Sequence, residues 1–89
     1  MIKKEDFYKA HLCPVCGKFE FPMHGSYDIC EVCGWEDDSV QEEDQDAGGA
    51  NWETLRGYRA LYKAGKHNVS DEEKTKWFKE SGFLKNRGA

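Results

Sequence analysis

The residues best suited to chemistry are four cysteines in two pairs, Cys13-Pro14-Val15-Cys16-Gly17 and Cys30-Glu31-Val32-Cys33-Gly34. Two residues between the thiols let the chain turn so that both sulfurs face one side. Two such pairs can then complete a tetrahedral four-thiolate site. Glycine after each second cysteine suits this turn, because it takes positive φ without strain. The 13 residues from 17 to 29 separate the pairs, a spacing of the zinc class. Cys13, Cys16, Cys30 and Cys33 are therefore the expected ligands of one structural Zn²⁺, with no position left open for substrate.

Other uses of the thiols fit less well. A redox Cys-x-x-Cys motif is a single pair near a βαβ pattern, whereas here the pair is duplicated and no such pattern surrounds it. A disulfide framework belongs to oxidising compartments, and this chain reads as cytoplasmic. Iron in a rubredoxin-type site uses the same donors and is the alternative cation, although rubredoxins space their knuckles much further apart. Zinc would also account for folding. A chain of 89 residues with 38% hydrophobic content builds only a marginal core, and apparent zinc-binding energies of ~10–16 kcal/mol exceed what that core supplies.

The remaining candidates for chemistry are weaker. His11, His24 and His67 are each expected to be ordinary surface residues, since four cysteines already fill a site. Asp37 and Asp38 could do acid–base work, but nothing marks a pocket around them. No phosphate-binding glycine loop and no serine–histidine–acid set is present, so an enzyme is not expected.

The elements that must position the cysteines follow from patterning. Phe19, Phe21, Tyr27 and Ile29 share one parity, the period-two signature of two half-buried strands, with a turn at Pro22 to Ser26. A hairpin leaving Cys16 and returning to Cys30 would bring both knuckles over one metal. Asn51 reads as a helix N-cap, with Trp52, Leu55, Tyr58 and Tyr62 as an apolar stripe and Arg56, Arg59 and Lys63 beside it. Ser70-Asp71-Glu72-Glu73 has the form of a capping box and starts a second helix over 71–80, with Gly82 near its end. Trp77 and Phe78 give this helix a thin apolar face, followed by Phe83 and Leu84. The expected fold is a small metal-stabilised α+β domain. It comprises a zinc-ribbon β-hairpin with two knuckles and an acidic loop over 1–46, and two C-terminal α-helices over 47–89 packed on it.

Charge divides along the same line. Residues 1–46 carry 4 basic and 12 acidic side chains, and residues 47–89 carry 9 basic and 5 acidic, for a net −4 overall. Seven of the eleven residues from Glu36 to Asp46 are acidic. The run lacks the register and the internal glycine of a calcium loop, and is expected to be a solvated loop. On that reading Asp37→Asn with Asp38→Asn leaves folding intact. The basic helical stripe would complement this loop, within the chain or across a dimer. No apolar run approaches the ~20 residues of a membrane span, and Met1 to Ala10 is not expected to act as a secretory signal.

Together these residues resemble the bacterial cysteine-rich CPCC proteins. The resemblance is carried by Cys13-Pro14-Val15-Cys16-Gly17, by Tyr27-Asp28-Ile29-Cys30-Glu31-Val32-Cys33-Gly34-Trp35-Glu36-Asp37-Asp38, and by Gly48-Gly49-Ala50-Asn51 with Leu55. It spans about residues 12–63 and leaves out Lys66 to Ala89. Val15 stands where the family name has a cysteine, and Gly34 where a bulky aromatic is expected. The resemblance implies a bacterial, cytoplasmic, zinc-ribbon-like protein. It also points to Trp35 to Asp38 and Gly48 to Asn51 as a functional surface.

The leading expectation is thus a zinc-stabilised interaction or adaptor module with a protein partner. Its candidate surface is Trp35, Glu36, Asp37 and Asp38 together with Arg56, Arg59 and Lys63. The alternatives are a nucleic-acid-binding ribbon that uses the basic helices and a rubredoxin-like electron carrier.

Overall fold

The computed structural model describes residues 4–82. Among them two short strands, β1 (His11–Leu12) and β2 (Glu20–Phe21), pair antiparallel with His11 opposite Phe21 and Leu12 opposite Glu20. Three helices follow: α1 (Ser39–Glu43), α2 (Leu55–Lys63) and α3 (Asp71–Ser81). The architecture is a small α+β fold whose core is built around the cysteines. Cys13, Phe21, Cys30, Cys33, Trp35, Leu55 and Tyr58 form one buried cluster, with Val15, Cys16, Phe19 and Tyr62 packed against it.

The strand pairing differs from the expected one for a reason local to the knuckles. The amide of Gly17 donates to Cys13 O at 2.9 Å, and that of Gly34 donates to Cys30 O at 2.9 Å. Both glycines have positive φ, 68° and 85°. Each Cys-x-x-Cys-Gly segment is therefore itself a chain reversal, and the segments flanking one knuckle pair with each other. The β1–β2 hairpin closes the first knuckle, and an isolated antiparallel bridge between Ile29 and Glu36 closes the second. Residues 19–21 do not pair with 27–29. Phe21 is buried as expected, but Tyr27 and Ile29 are 60% and 59% exposed.

The acidic run is not a solvated loop. Asp38 sits in extended backbone, and its carboxylate accepts from the amides of Val40 (2.8 Å) and Gln41 (3.3 Å). That is an N-cap, which satisfies two of the donors that a helix start leaves unpaired. The α1 helix it opens makes three helices rather than the expected two.

The two later helices lie close to expectation, with one shifted start. Thr54, not Asn51, caps α2 through a 3.0 Å bond from the Gly57 amide. The buried face is Leu55, Tyr58 and Leu61, and Trp52 lies ahead of the helix, 64% exposed. In α3 the Ser70 hydroxyl accepts from Glu73 N, and Gly82 ends the helix at φ 74°. Phe78 is buried near Gly57, where an added Cβ would lie 3.3 Å from the Phe78 ring. Lys74 is also buried, 2.5 Å from Glu53 and over the Tyr58 ring at 5.5 Å. The helix thus docks through a buried ion pair as well as its thin apolar face. Phe83 and Leu84 lie outside the described residues.

Candidate metal centre

The two knuckles bring the four sulfurs together. Cys13 and Cys33 Sγ are 3.6 Å apart, as are Cys16 and Cys30 Sγ, and all four lie within 4.8 Å of one another. A disulfide needs about 2.05 Å, and all four cysteines are free. A tetrahedron with ~2.3 Å metal–sulfur bonds has edges of about 3.8 Å, close to the observed separations. The second requirement of a thiolate site is backbone donors aimed at sulfur. The Lys18 amide points at Cys16 Sγ and the Cys33 amide at Cys30 Sγ, each at 3.4 Å. Cys13, Cys30 and Cys33 are buried and Cys16 is half-buried.

Left to protons alone, the cluster ionises unevenly. The hydrogen bond with the Cys33 side chain brings Cys13 down to about 5. The same contact, together with burial, pushes Cys33 up, and burial raises Cys16. Cys13 forms the first thiolate, and Cys16 and Cys33 resist a second negative charge. A soft or borderline dication removes that resistance, because coordination requires and stabilises the deprotonated thiol. The donor set therefore fits a metal ion, held by Cys13, Cys16, Cys30 and Cys33.

Helix α2 braces this centre. The Tyr58 hydroxyl donates to Cys33 O at 2.6 Å from a buried position that pushes its own pKa up. Trp35 is fully buried edge-on to the Tyr58 ring, with centroids 5.4 Å apart. A side chain at Gly34 would meet the Tyr58 hydroxyl at 3.2 Å in a left-handed backbone, which explains why no aromatic precedes Trp35. Arg59 Nε donates to Pro14 O at 2.6 Å, and its Nη1 donates to Gln45 Oε1 at 3.0 Å, tying α2 to the first knuckle.

The candidate interaction surface is corrected by burial. Trp35 and Asp37 are fully buried and Asp38 is 5% exposed. Asp38 accepts from Ala50 N at 2.9 Å in addition to capping α1. Asn51 clasps the backbone of Glu36, accepting from its amide at 2.8 Å and donating to its carbonyl at 2.7 Å. Buried Gln41 donates to the carbonyls of Ala47, Asn51 and Glu53 and accepts from the amide and side chain of Asn51. Asp38, Gln41 and Asn51 thus form a buried polar latch that joins the segment Trp35 to Asp38 to the segment Gly48 to Asn51, whose first three residues are exposed. The polar groups of these three buried side chains leave water and must be paired. Gly49 belongs to it by close approach, since a Cβ there would lie 2.5 Å from Asp38 Oδ2. Of the basic residues, Arg56 is exposed and paired with Asp46 at 2.8 Å, Arg59 is occupied as above, and Lys63 is exposed. The stripe complements the acidic run within the chain through Arg56.

Sequence reasoning missed a second cluster. His11 and His24, expected at the surface, are only 10% and 14% exposed in their side chains. They stack with centroids 3.9 Å apart, and both Nδ1 atoms lie near Glu42. No spacing rule links residues 11, 24 and 42. Only the Asp38 cap, legible as Asp-Ser-Val-Gln ahead of a helix, could have shown that Glu42 has a fixed position.

No curated protein matches the chain. A family model described as cysteine-rich CPCC matches residues 11–82, carrying the likeness through α3, well past the expected limit at residue 63. With that match added to the clustered cysteines, the chain belongs to the cysteine-rich CPCC family.

Proposed function

We propose that the protein is a zinc-stabilised interaction module in which the four-cysteine site is structural and a protein partner docks beside it. The observation that carries this reading is the exposure around the second knuckle. Tyr27, Ile29 and Val32, within one six-residue segment, are 60%, 59% and 47% exposed although they flank the buried Cys30. Apolar side chains held outward by a rigid, metal-fixed turn form a preorganised contact patch. It replaces the surface expected at Trp35 to Asp38. A bacterial cytoplasmic setting belongs to the proposal, because the thiols must stay reduced to bind metal. Among the described residues no helix is long and apolar enough to cross a membrane.

Zinc is preferred to iron because closed four-thiolate sites with short knuckle separation are its common use. Such a closed site supplies structure, so the cysteine centre is proposed to have no catalytic role. Elemental analysis of untagged protein should give zinc at one or more equivalents per chain and no iron, and stoichiometric iron with a red colour would overturn that choice. Ile29→Glu with Val32→Glu should abolish recovery of a protein captured by the wild type while zinc content stays unchanged. Equal recovery by both forms at low salt would overturn the docking patch. The nucleic-acid alternative has less support, since Arg56 and Arg59 engage Asp46, Pro14 and Gln45. Absence of a band shift at ~50 mM salt would remove it.

A further inference from the structure

We propose a second metal site, distinct from the cysteines, in which His11 Nδ1, His24 Nδ1 and the Glu42 carboxylate bind one Zn²⁺-class cation. The three ligand atoms lie within 4.8 Å of one another. They come from three separately fixed segments. His11 is in β1, His24 is held by its amide's 2.9 Å bond to Phe7 O, and Glu42 is on the Asp38-capped helix α1. All three side chains are largely buried, at 10%, 14% and 17% exposed.

The geometry at His11 is the central observation. Its Nε2 lies 3.2 Å from the fully buried Asp37 carboxylate, which Ser26 holds by its amide (3.0 Å) and hydroxyl (2.9 Å). Donation from Nε2 to Asp37 leaves the Nδ1 lone pair on the side of Glu42. That Nδ1 is buried and 3.2 Å from Glu42 Oε2, yet makes no hydrogen bond to it. A nitrogen lone pair and a carboxylate oxygen side by side repel each other unless a positive charge lies between them. Carboxylate–histidine–metal triads have this form: the outer carboxylate fixes tautomer and ring orientation, and the free nitrogen coordinates. The 3.2 Å separation is also near the edge of about 3.4 Å in a tetrahedron with ~2.1 Å bonds. Glu42 Oε1 accepts a 2.6 Å hydrogen bond from His24 Nδ1, whose proton the cation would displace, so one carboxylate addresses both imidazoles. Phe7 and Phe21 lie beside the stacked rings, with centroids 6.3 Å from His24 and 5.4 Å from His11, and give the site an apolar wall. Two imidazoles and one carboxylate are a zinc-type donor set, and they leave the fourth tetrahedral position for water or an outside ligand.

The site can be counted separately from the cysteines. The full chain, loaded with zinc and dialysed, should hold two zinc ions. His24→Ala and Glu42→Gln should each reduce this to one. Cobalt substitution reads the two sites independently, because only the cysteine site gives thiolate-to-cobalt charge transfer. Those bands should persist in both variants and show that the fold is kept. Asp37→Asn should weaken the second ion roughly 10–100-fold. A zinc count that stops at one, or a second ion that survives both variants, overturns the proposal. Imidazole ¹⁵N spectra of the wild type decide the matter even if a variant fails to fold. The second equivalent of zinc must shift Nδ1 of both His11 and His24, and unchanged resonances refute the site.

Discussion

The cysteine cluster and the polar latch that follows it in the chain hold the molecule in different ways. The cysteines form a centre of four like atoms brought in by two copies of one local turn, each closed by a glycine amide. The latch is a centre of unlike atoms. Asp38, Gln41 and Asn51 reach backbone groups as far as fifteen residues away. A metal concentrates its stabilisation at one point, with apparent binding energies of ~10–16 kcal/mol. The latch distributes it over bonds worth about 1 kcal/mol each. One centre should therefore fail all at once and the other by degrees.

The largest effect should come from the metal centre. Cys30→Ser leaves three thiolates and should release or strongly weaken the ion, unfolding residues 12–35 at least. The measurement is zinc content together with amide dispersion in the NMR spectrum. Retention of the wild-type fold and zinc would falsify the four-thiolate model. A strong chelator on the wild type should reproduce the loss reversibly, as expected where metal binding and folding form one equilibrium.

The same contrast explains what could be read in advance. Knuckles, helix caps and helix ends are local devices. Cys13 to Gly17, the Ser70 capping box and Gly82 at the end of α3 stand in the sequence with their partners three or four residues away. The latch and the histidine pair are assembled by tertiary contact from common residue types. Asp37 and Asp38 lie in a run whose net charge indicates solvent, yet they turn inward while Glu43 and Asp44 stay exposed. Asn51 has the residue type of an N-cap, but its side chain clasps Glu36 instead, and Thr54 takes the cap. The strand pairing failed for a related reason, since alternation identifies faces but not partners.

The next effect in size tests the latch. Asp38→Asn should destabilise the zinc-loaded protein by about 3 kcal/mol, contrary to the expectation from charge alone. Both oxygens of Asp38 accept backbone N–H groups, and an amide offers one acceptor and sets a donor against the other. Thermal unfolding with zinc content held constant checks this, and an unchanged midpoint would show that the latch carries no stability. Gly49→Ala should follow at about 1–3 kcal/mol. Its Cβ would press on Asp38 Oδ2 and on Gln41 Cγ at 2.8 Å, both held by hydrogen bonds and unable to yield freely.

The smallest effects separate two arginines that look equivalent on the α2 stripe. Arg59 is half-buried and bonds the Pro14 carbonyl next to the first knuckle. Arg59→Ala should therefore lower stability by about 1 kcal/mol and loosen the cysteine centre, read as faster zinc loss to a chelator. Arg56 is exposed, and its guanidinium is held charged by the bond and field of Asp46. Water and salt screen such a pair, and fixing two mobile side chains offsets most of the attraction. Arg56→Ala should leave both the unfolding midpoint and the rate of zinc loss unchanged, at low and high salt alike. If it matched Arg59→Ala in zinc loss, the acidic run would be coupled to the metal through charge, and the division into two independent centres would fail.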